Sequence, residues 1–520
     1  MLTFMSIRKF LRLHSFSIVF AVLFAVLFLF FLSAPTVFGQ NISDGIYQTD
    51  LSNEYVMPNG AVFLIVDGFG SYYIFPELSG ETLNGEPIGK SKVPTLSKIW
   101  ENGFRVSQMK VPVPVTDKGH SVLMTGNPTA DPEMVGYSDA SFLDVFQNEG
   151  YLCVGIMQRG DFESMRKKFD LIIYDKTNSV NNMDFTVQVN NYDESESQVV
   201  REIESVFESQ KKKAPSYIDS KDTGEKYAGY NRWGLDTAYE TLLILDKYPN
   251  QKFILVINVG AIDSTGHYRG YYAYLDAIER LDADLKKLYD ICVRKNLFFI
   301  LTADHGMSFE TQDKKAGGHS SSKYAKTKEA LHIPFIISGA SVKNGSVYFE
   351  ETGQEDAAPT LLSLFNLYTP PRFLKGDILP AKEYPTLHVS VPDFEEIRLY
   401  KMSGLEETLL FTSADLSDNF SVYSLSGLSA GNYRLTWDGG GQNYSQTEVF
   451  LFLEKETSVD LSTYLKKPLL TPLSSSGDSN DSASTSGLLK FPAAKLSGYG
   501  LIAFINLVGA ALIYRYYKKE

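Results

Sequence analysis

The chain has 520 residues, of which 44% are hydrophobic and 21% charged, and carries a formal net charge of −13. That length exceeds one ordinary domain, and the composition is globular rather than disordered or fibrous. The acidic balance argues against a nucleic-acid polymer as partner, so an anionic substrate would have to be drawn in by local positive charge.

Arg8, Lys9 and Arg12 precede an apolar stretch from Phe16 to Leu32, followed by small and polar residues up to Gln40. Residues 1–39 therefore read as a secretory signal peptide cleaved after Gly39, or as a signal anchor. The apolar run Ala61 to Val66 ends in Asp67-Gly68, the pattern of a buried parallel strand with Asp67 at its carboxyl end. Leu143 to Gly150 reads as a helix end closed by glycine, and Tyr151 to Met157 as the next strand. Residues 159–228 are polar, with a helical pattern from Ser195 to Ser209, and are expected to form an insertion able to cap a site. Phe253 to Val259 repeats the strand design ahead of Asp263 and His267, and Leu297 to Thr302 repeats it ahead of Asp304 and His305. His319 follows Gly317-Gly318.

Strands alternating with helices predict an α/β domain over 55–380, with a mostly parallel sheet covered by helices on both faces. Ligands of such sheets bind outside the carboxyl ends of the strands, so three strands would aim acids and histidines at one edge. Carboxylate oxygens and imidazole nitrogens without thiolate suit Zn²⁺ first and Mn²⁺ second. Two such ions about 4 Å apart can clamp the attacking and leaving oxygens of an in-line displacement. Cys153 and Cys292 lie in or beside apolar segments and read as buried free thiols, with one disulfide as the alternative.

The segment Pro114-Val115-Thr116-Asp117-Lys118-Gly119-His120, running on to Thr125-Gly126, joins Asp67, Asp263 to His267, Asp304-His305-Gly306, Gly317-Gly318-His319 and Asp356 to Leu362 in one ordered set. This set resembles the alkaline phosphatase superfamily, and within it the nucleotide pyrophosphatase and type I phosphodiesterase branch, over roughly residues 58–380. The resemblance implies one ion at Asp67, Thr116, Asp304 and His305, and another at Asp263, His267 and His319. It also implies Thr116 as nucleophile through a phosphothreonine intermediate; His120 reads either as orienting the nucleophile segment by hydrogen bonding or as a buried structural histidine. The branch's phosphate-binding Asn has no counterpart in Met134-Val135-Gly136-Tyr137-Ser138, which leaves Arg159 and Lys118 as candidate cations for the phosphoryl group. Sulfatases share the fold but need an oxidisable Cys or Ser followed by Pro-x-Arg, which Thr116 lacks.

Beyond Tyr384, short β-rich runs separated by Gly-rich turns predict an immunoglobulin-like β-sandwich over 385–463. A Ser/Asp-rich linker (464–494) and an apolar stretch from Leu496 to Tyr514 follow, and Arg515, Lys518 and Lys519 come directly after. This predicts a single transmembrane helix over 495–515 with a cytoplasmic tail, placing the catalytic domain outside the cell. Asn41, Asn344, Asn419, Asn443 and Asn480 head Asn-x-Ser sequons, in keeping with an exported chain. The functional expectation is a dinuclear metal-dependent phosphodiesterase or nucleotide pyrophosphatase acting on a small phosphoester. The alternatives are a phosphomonoesterase or phosphonate hydrolase on the same site, and a surface binding protein that keeps the fold.

Overall fold

The computed structural model describes residues 42–51, 56–191, 197–367, 369–391, 396–404, 406–416, 419–438, 446–453 and 455–465. The expected signal segment, nearly all of the linker, the expected transmembrane helix and the tail lie outside the described residues. Among those described, no helix is long and apolar enough to cross a membrane.

Strand β1 (Ile42–Asp50) belongs to the second half of the molecule. The main sheet is built from β2 (Gly60–Val66), β3 (Phe104–Lys110), β4 (Leu152–Met157), β5 (Leu171–Asp175), β6 (Phe185–Val189), β7 (Phe253–Val259) and β8 (Phe298–Thr302). A short ribbon of β9 (Ser308–Phe309) and β10 (Gly317–Gly318) follows, and β11 (His332–Ser338), β12 (Ser346–Tyr348) and β13 (Thr352–Gly353) complete the set. The spatial order is β12-β3-β11-β8-β2-β7-β4-β5-β6, with β13 also on β3. Strands β8, β2, β7, β4 and β5 run parallel, whereas β11 is antiparallel to both its neighbours and β6 to β5. Every residue of β2, β7 and β8 is buried, which is why their sequences are continuous apolar runs without alternation.

The helices pack in two groups. Pro94–Glu101, Gln198–Tyr217, Thr223–Leu245 and Tyr271–Arg294 touch one another in series, and Thr116–Thr125, Phe142–Asn148 and Ala357–Leu364 form the other group. The polar stretch expected to cap a site is largely built into this core. It supplies β5 and β6 to the end of the sheet, and Val199, Val200, Ile203 and Phe207 form a buried stripe on the helix Gln198–Tyr217. Their spacing is that of an amphipathic helix laid on a core, hidden in the sequence by the polar face around it.

Strands β14 (Leu387–Ser390), β15 (Glu396–Ser403), β16 (Glu406–Thr412), β17 (Asn419–Ser426), β18 (Gly431–Asp438), β19 (Glu448–Leu453) and β20 (Thr457–Asp460) form two four-stranded sheets, β1-β17-β14-β20 and β16-β15-β18-β19. Leu387, Val389, Tyr423 and Leu425 of one sheet share a core with Leu399, Tyr433, Leu435 and Trp437 of the other. β1 pairs in parallel with β17, so the chain enters this sandwich before it enters the main sheet. Cys153 and Cys292 are buried free thiols.

Because Phe207 is fully buried in the main core, Phe207→Ala is expected to cost about 3–5 kcal/mol. Urea unfolding checks this, and a change under about 1 kcal/mol would return the helix to a peripheral role.

Candidate metal centre

Strands β8, β2 and β7 are neighbours, and their carboxyl ends carry the acids. Asp67 directly follows β2, Asp304 and His305 lie just past β8, and Asp263 and His267 sit one turn apart on the helix Ala261–Arg269 after β7. His319 follows β10, and Thr116 is the first residue of the helix Thr116–Thr125. Two groups result, Asp67 with Asp304 and His305, and Asp263 with His267 and His319, each with its donor atoms within 4.8 Å of one another.

The donor atoms are held ready. Asp304 Oδ1 accepts the N–H groups of Gly68 (3.0 Å) and His305 (2.9 Å), while Asp304 Oδ2, both oxygens of Asp67 and Asp263 Oδ1 accept no hydrogen bond although buried. His305 Nδ1 donates to the Gly306 carbonyl at 2.9 Å and His319 Nδ1 to the Pro114 carbonyl at 2.6 Å, which leaves each Nε2 with a lone pair facing the acids. His305 Nε2 lies 3.4 Å from Asp304 Oδ2, 3.5 Å from Asp67 Oδ1 and 3.1 Å from Thr116 Oγ1. His319 Nε2 lies 3.0 Å from His267 Nε2 and 3.5 Å from Asp263 Oδ1.

Burial sets the proton affinities of four of these groups, whereas against their burial Asp263 is held below the usual carboxylate range by His267, His305 and Arg159, and His267 is raised by Asp263. Burial lowers His305 to about 4 and His319 to about 3, so both rings are neutral at pH 7. It raises Asp304 to about 7, and together with the Asp304 and Asp263 carboxylates it pushes Asp67 well above the usual carboxylate range. The one guanidinium here is that of Arg159, just past β4, with Nη1 3.0 Å from Asp263 Oδ2 and Nε 3.5 Å from Asp67 Oδ2. Three buried carboxylates against one guanidinium are short of positive charge, and their orphaned oxygens are aimed at one another's neighbourhood. Residues of this kind in this arrangement fit two divalent cations.

The remaining sequence candidates divide. His120 is buried, donates from Nδ1 to the Thr116 carbonyl at 2.8 Å, and accepts at Nε2 from the Asn258 amide at 3.3 Å. Asn258 Oδ1 in turn accepts the Arg159 N–H at 2.8 Å, so one chain of hydrogen bonds ties Thr116, His120 and Arg159 together. Lys118 is instead half exposed with its Nζ 3.7 Å from Asp131 Oδ2, and forms no ion pair with the acid groups. Gly160 has φ +74°, and a Cβ there would stand 2.4 Å from Thr116 Cγ2 and 2.7 Å from His120 Cε1.

Sequence reading missed the neutral residues that hold the site. Asn258 is the single polar residue in the apolar run of β7, which was a usable signal. Gln158 accepts the Gly260 N–H (3.3 Å), and Asn231 accepts the Ala261 N–H (2.9 Å) at the start of the Asp263 helix. Asn231 lies inside a long helix and carries no mark in the sequence.

The model of the metalloenzyme superfamily matches residues 59–369, more than half of the chain. The chain belongs to the metalloenzyme superfamily. The resemblance to the alkaline phosphatase superfamily drawn from its motifs stands with that assignment. Similar curated proteins include the 2,3-bisphosphoglycerate-independent phosphoglycerate mutases of Mycoplasma genitalium, 30% identical over 138 residues (26% of this chain, 25% of the relative), and Clostridioides difficile, 31% identical over 147 residues (28% of each). The chain thus spans only about a quarter of the length of these curated relatives. Similar solved structures include the alkaline phosphatase PafA, with TM-score 0.43 at 13% identity over 63% of this chain and 99% of that one. The lipoteichoic acid synthase LtaP of Listeria monocytogenes gives TM-score 0.41 at 14% identity over 63% and 77%. A phosphonate monoester hydrolase of Silicibacter pomeroyi gives 0.40 at 11% over 76% and 87%.

Burial holds the Asp304 carboxyl up to about 7 and Asp67 above the usual carboxylate range, and the Asp263 carboxylate raises His267, so protons held by these groups must leave when they act as ligands. Zn²⁺ binding should therefore release protons increasingly as pH falls from 8 through about 7 toward 6. Calorimetry in buffers of differing ionisation enthalpy measures this; release that does not rise with falling pH would contradict the assignment of these groups as ligands.

Proposed function

We propose that the protein is a dinuclear metal-dependent phosphoester hydrolase of the phosphodiesterase or nucleotide pyrophosphatase type, working through a phosphothreonine at Thr116. The observation that carries this is the convergence, beside Thr116 Oγ1, of four buried carboxylate oxygens that accept no hydrogen bond and two neutral imidazole nitrogens. Asp67, Asp304, His305 and Thr116 would hold one ion, and Asp263, His267 and His319 the other, with zinc ahead of manganese on donor chemistry. When bound, the ions supply Lewis-acid stabilisation to the attacking and leaving oxygens.

The chain's own residues do the rest. Thr116 Oγ1, its proton passed to solvent, attacks phosphorus in line, the bond to the leaving oxygen breaks and that oxygen departs with its own substituent, and water later releases the remaining phosphate monoester from the threonine. His120, fixed by Asn258, keeps the Thr116 carbonyl and so the start of its helix in place. That helix begins at Thr116 with no side-chain cap from Val115, and although Asp117 Oδ1 takes the Lys118 N–H, its positive dipole end would serve a phosphoryl oxygen where the branch's Asn is missing. Arg159 is positioned to move from Asp67 and Asp263 to the phosphoryl group. With Lys118 turned to Asp131, Arg159 is the one lysine or arginine paired with the acid groups among the described residues, and a single such cation suits a monoanionic diester better than a dianionic monoester. On the sequence pattern of the two ends, the site would work outside the cell on a membrane-tethered stalk.

A second reading comes from the sequence relatives, which are mutases. The phosphothreonine would then pass its phosphoryl group to a hydroxyl of the substrate instead of water. Incubation with 3-phosphoglycerate separates the two, since a mutase yields 2-phosphoglycerate, a diesterase leaves this monoester essentially unchanged, and a phosphomonoesterase releases phosphate.

Thr116→Ala should lower turnover by at least about 10³-fold with metal content unchanged. Rates on bis-p-nitrophenyl phosphate should exceed those on p-nitrophenyl phosphate. Residual activity within about tenfold of the parent would remove Thr116 as nucleophile, and faster monoester cleavage would move the protein to the phosphomonoesterases.

A further inference from the structure

Both acid–histidine groups hang on one turn. The Asp67 carboxylate belongs to the first group, while the Asp67 carbonyl accepts the N–H of Asp263 from the second at 3.0 Å. The next residue, Gly68, donates its N–H to Asp304 Oδ1, so that Asp304 Oδ1 is saturated by two backbone donors and Oδ2 is the oxygen left over. Gly68 has φ +74°, and a Cβ there would stand 2.7 Å from Asp263 Cβ and 3.0 Å from Asp263 Oδ1. Asp67-Gly68 therefore touches a carboxylate of each group through separate atoms, and cannot shift for one group without shifting for the other.

A single side chain holds the turn from behind. The Tyr274 hydroxyl donates to the Gly68 carbonyl at 2.7 Å and accepts the Gly70 N–H at 3.1 Å. Tyr274 is fully buried on the helix Tyr271–Arg294, its ring packed edge-on against Tyr73 (centroids 4.9 Å) and Phe309 (5.4 Å). Such a hydroxyl has no role in water-facing solubility, and both of its hydrogen bonds end on the turn.

We propose that the Asp67-Gly68 turn couples the two groups so that they load divalent ions cooperatively, and that Tyr274 is the positioning residue that sets the turn. This rests on the reading that both groups hold ions. Two bare cations a few ångströms apart repel, so independent groups would fill in two separated steps, the second weaker. Coupling through a shared turn reverses that order, because the first ion fixes Asp67 and Gly68 where the second group needs them. Partners that orient ligands are commonly worth 10- to 100-fold in metal affinity.

The test is titration of the metal-free full chain with Zn²⁺ against a competing chelator, with circular dichroism to confirm folding. The parent should take up two ions in one cooperative step. Tyr274→Phe, which keeps the ring, should weaken both ions about tenfold or more and separate the steps, while Tyr73→Phe, which removes a hydroxyl donating to the Met307 carbonyl in the same cluster, should not. A second variant, His267→Ala, removes one donor from the second group only. Coupling predicts weaker binding at the first group, whereas independence predicts unchanged or tighter binding. Parental affinities in Tyr274→Phe, or loss at one ion alone, would overturn the proposal, and so would an unweakened first ion in His267→Ala should Tyr274→Phe not fold. A parent chain that takes up no metal would instead overturn the dinuclear reading itself.

Discussion

Three carboxylates buried at the end of an apolar sheet, with one guanidinium among them, are the constraint on which the rest of the molecule depends. An isolated buried carboxylate is expensive, and Asp67, Asp263 and Asp304 are each at most 1% exposed. Arg159 neutralises part of that charge, and burial pushes both Asp304 and Asp67 toward their neutral forms. Of the neighbouring imidazoles, burial keeps His305 and His319 neutral, while the Asp263 carboxylate holds the proton affinity of His267 up. What is left is a strong demand for cations, met by donors whose tautomers and directions are already fixed.

The sheet order creates this concentration of charge. β2 lies between β7 and β8, in parallel register, with Val66 beside Val259 and Ile65 beside Thr302. The strand ends are therefore level, and the residues just beyond them must meet. β9 and β10 deliver His319 from the side, and the helix beginning at Thr116 closes the remaining edge with its hydroxyl toward His305. Rigid strands and buried neutral side chains such as Asn258, Asn231, Gln158 and Tyr274 carry the positioning, which leaves the ligand atoms free of competing partners.

Much of this was legible in the sequence because burial on both faces writes a plain signal. The runs ending at Asp67, ahead of Asp263 and ahead of Asp304 could hardly be anything but central parallel strands, and their polar successors had to fall at one edge. The residues that support the ligands left weaker traces. Tyr274 and Asn231 act from the interior of long helices, where a polar atom serving a distant backbone group looks like any other helical residue. β1 left little trace because its sequence Ile-Ser-Asp-Gly-Ile-Tyr-Gln-Thr-Asp mixes Asp and Gly, poor strand formers, among its apolar residues. The helix Gln198–Tyr217 hid its apolar stripe among lysines and glutamates, so a core layer read as an insertion. Lys118, adjacent in sequence to the nucleophile segment's centre, points to Asp131, since a helix turns successive residues to different sides.

The most direct measurement is anomalous diffraction at the zinc edge from crystals of the catalytic chain grown with Zn²⁺. Two peaks are expected, one bounded by Asp67, Asp304 and His305 beside Thr116, the other by Asp263, His267 and His319. A single peak, or none within reach of these side chains, would contradict a dinuclear centre.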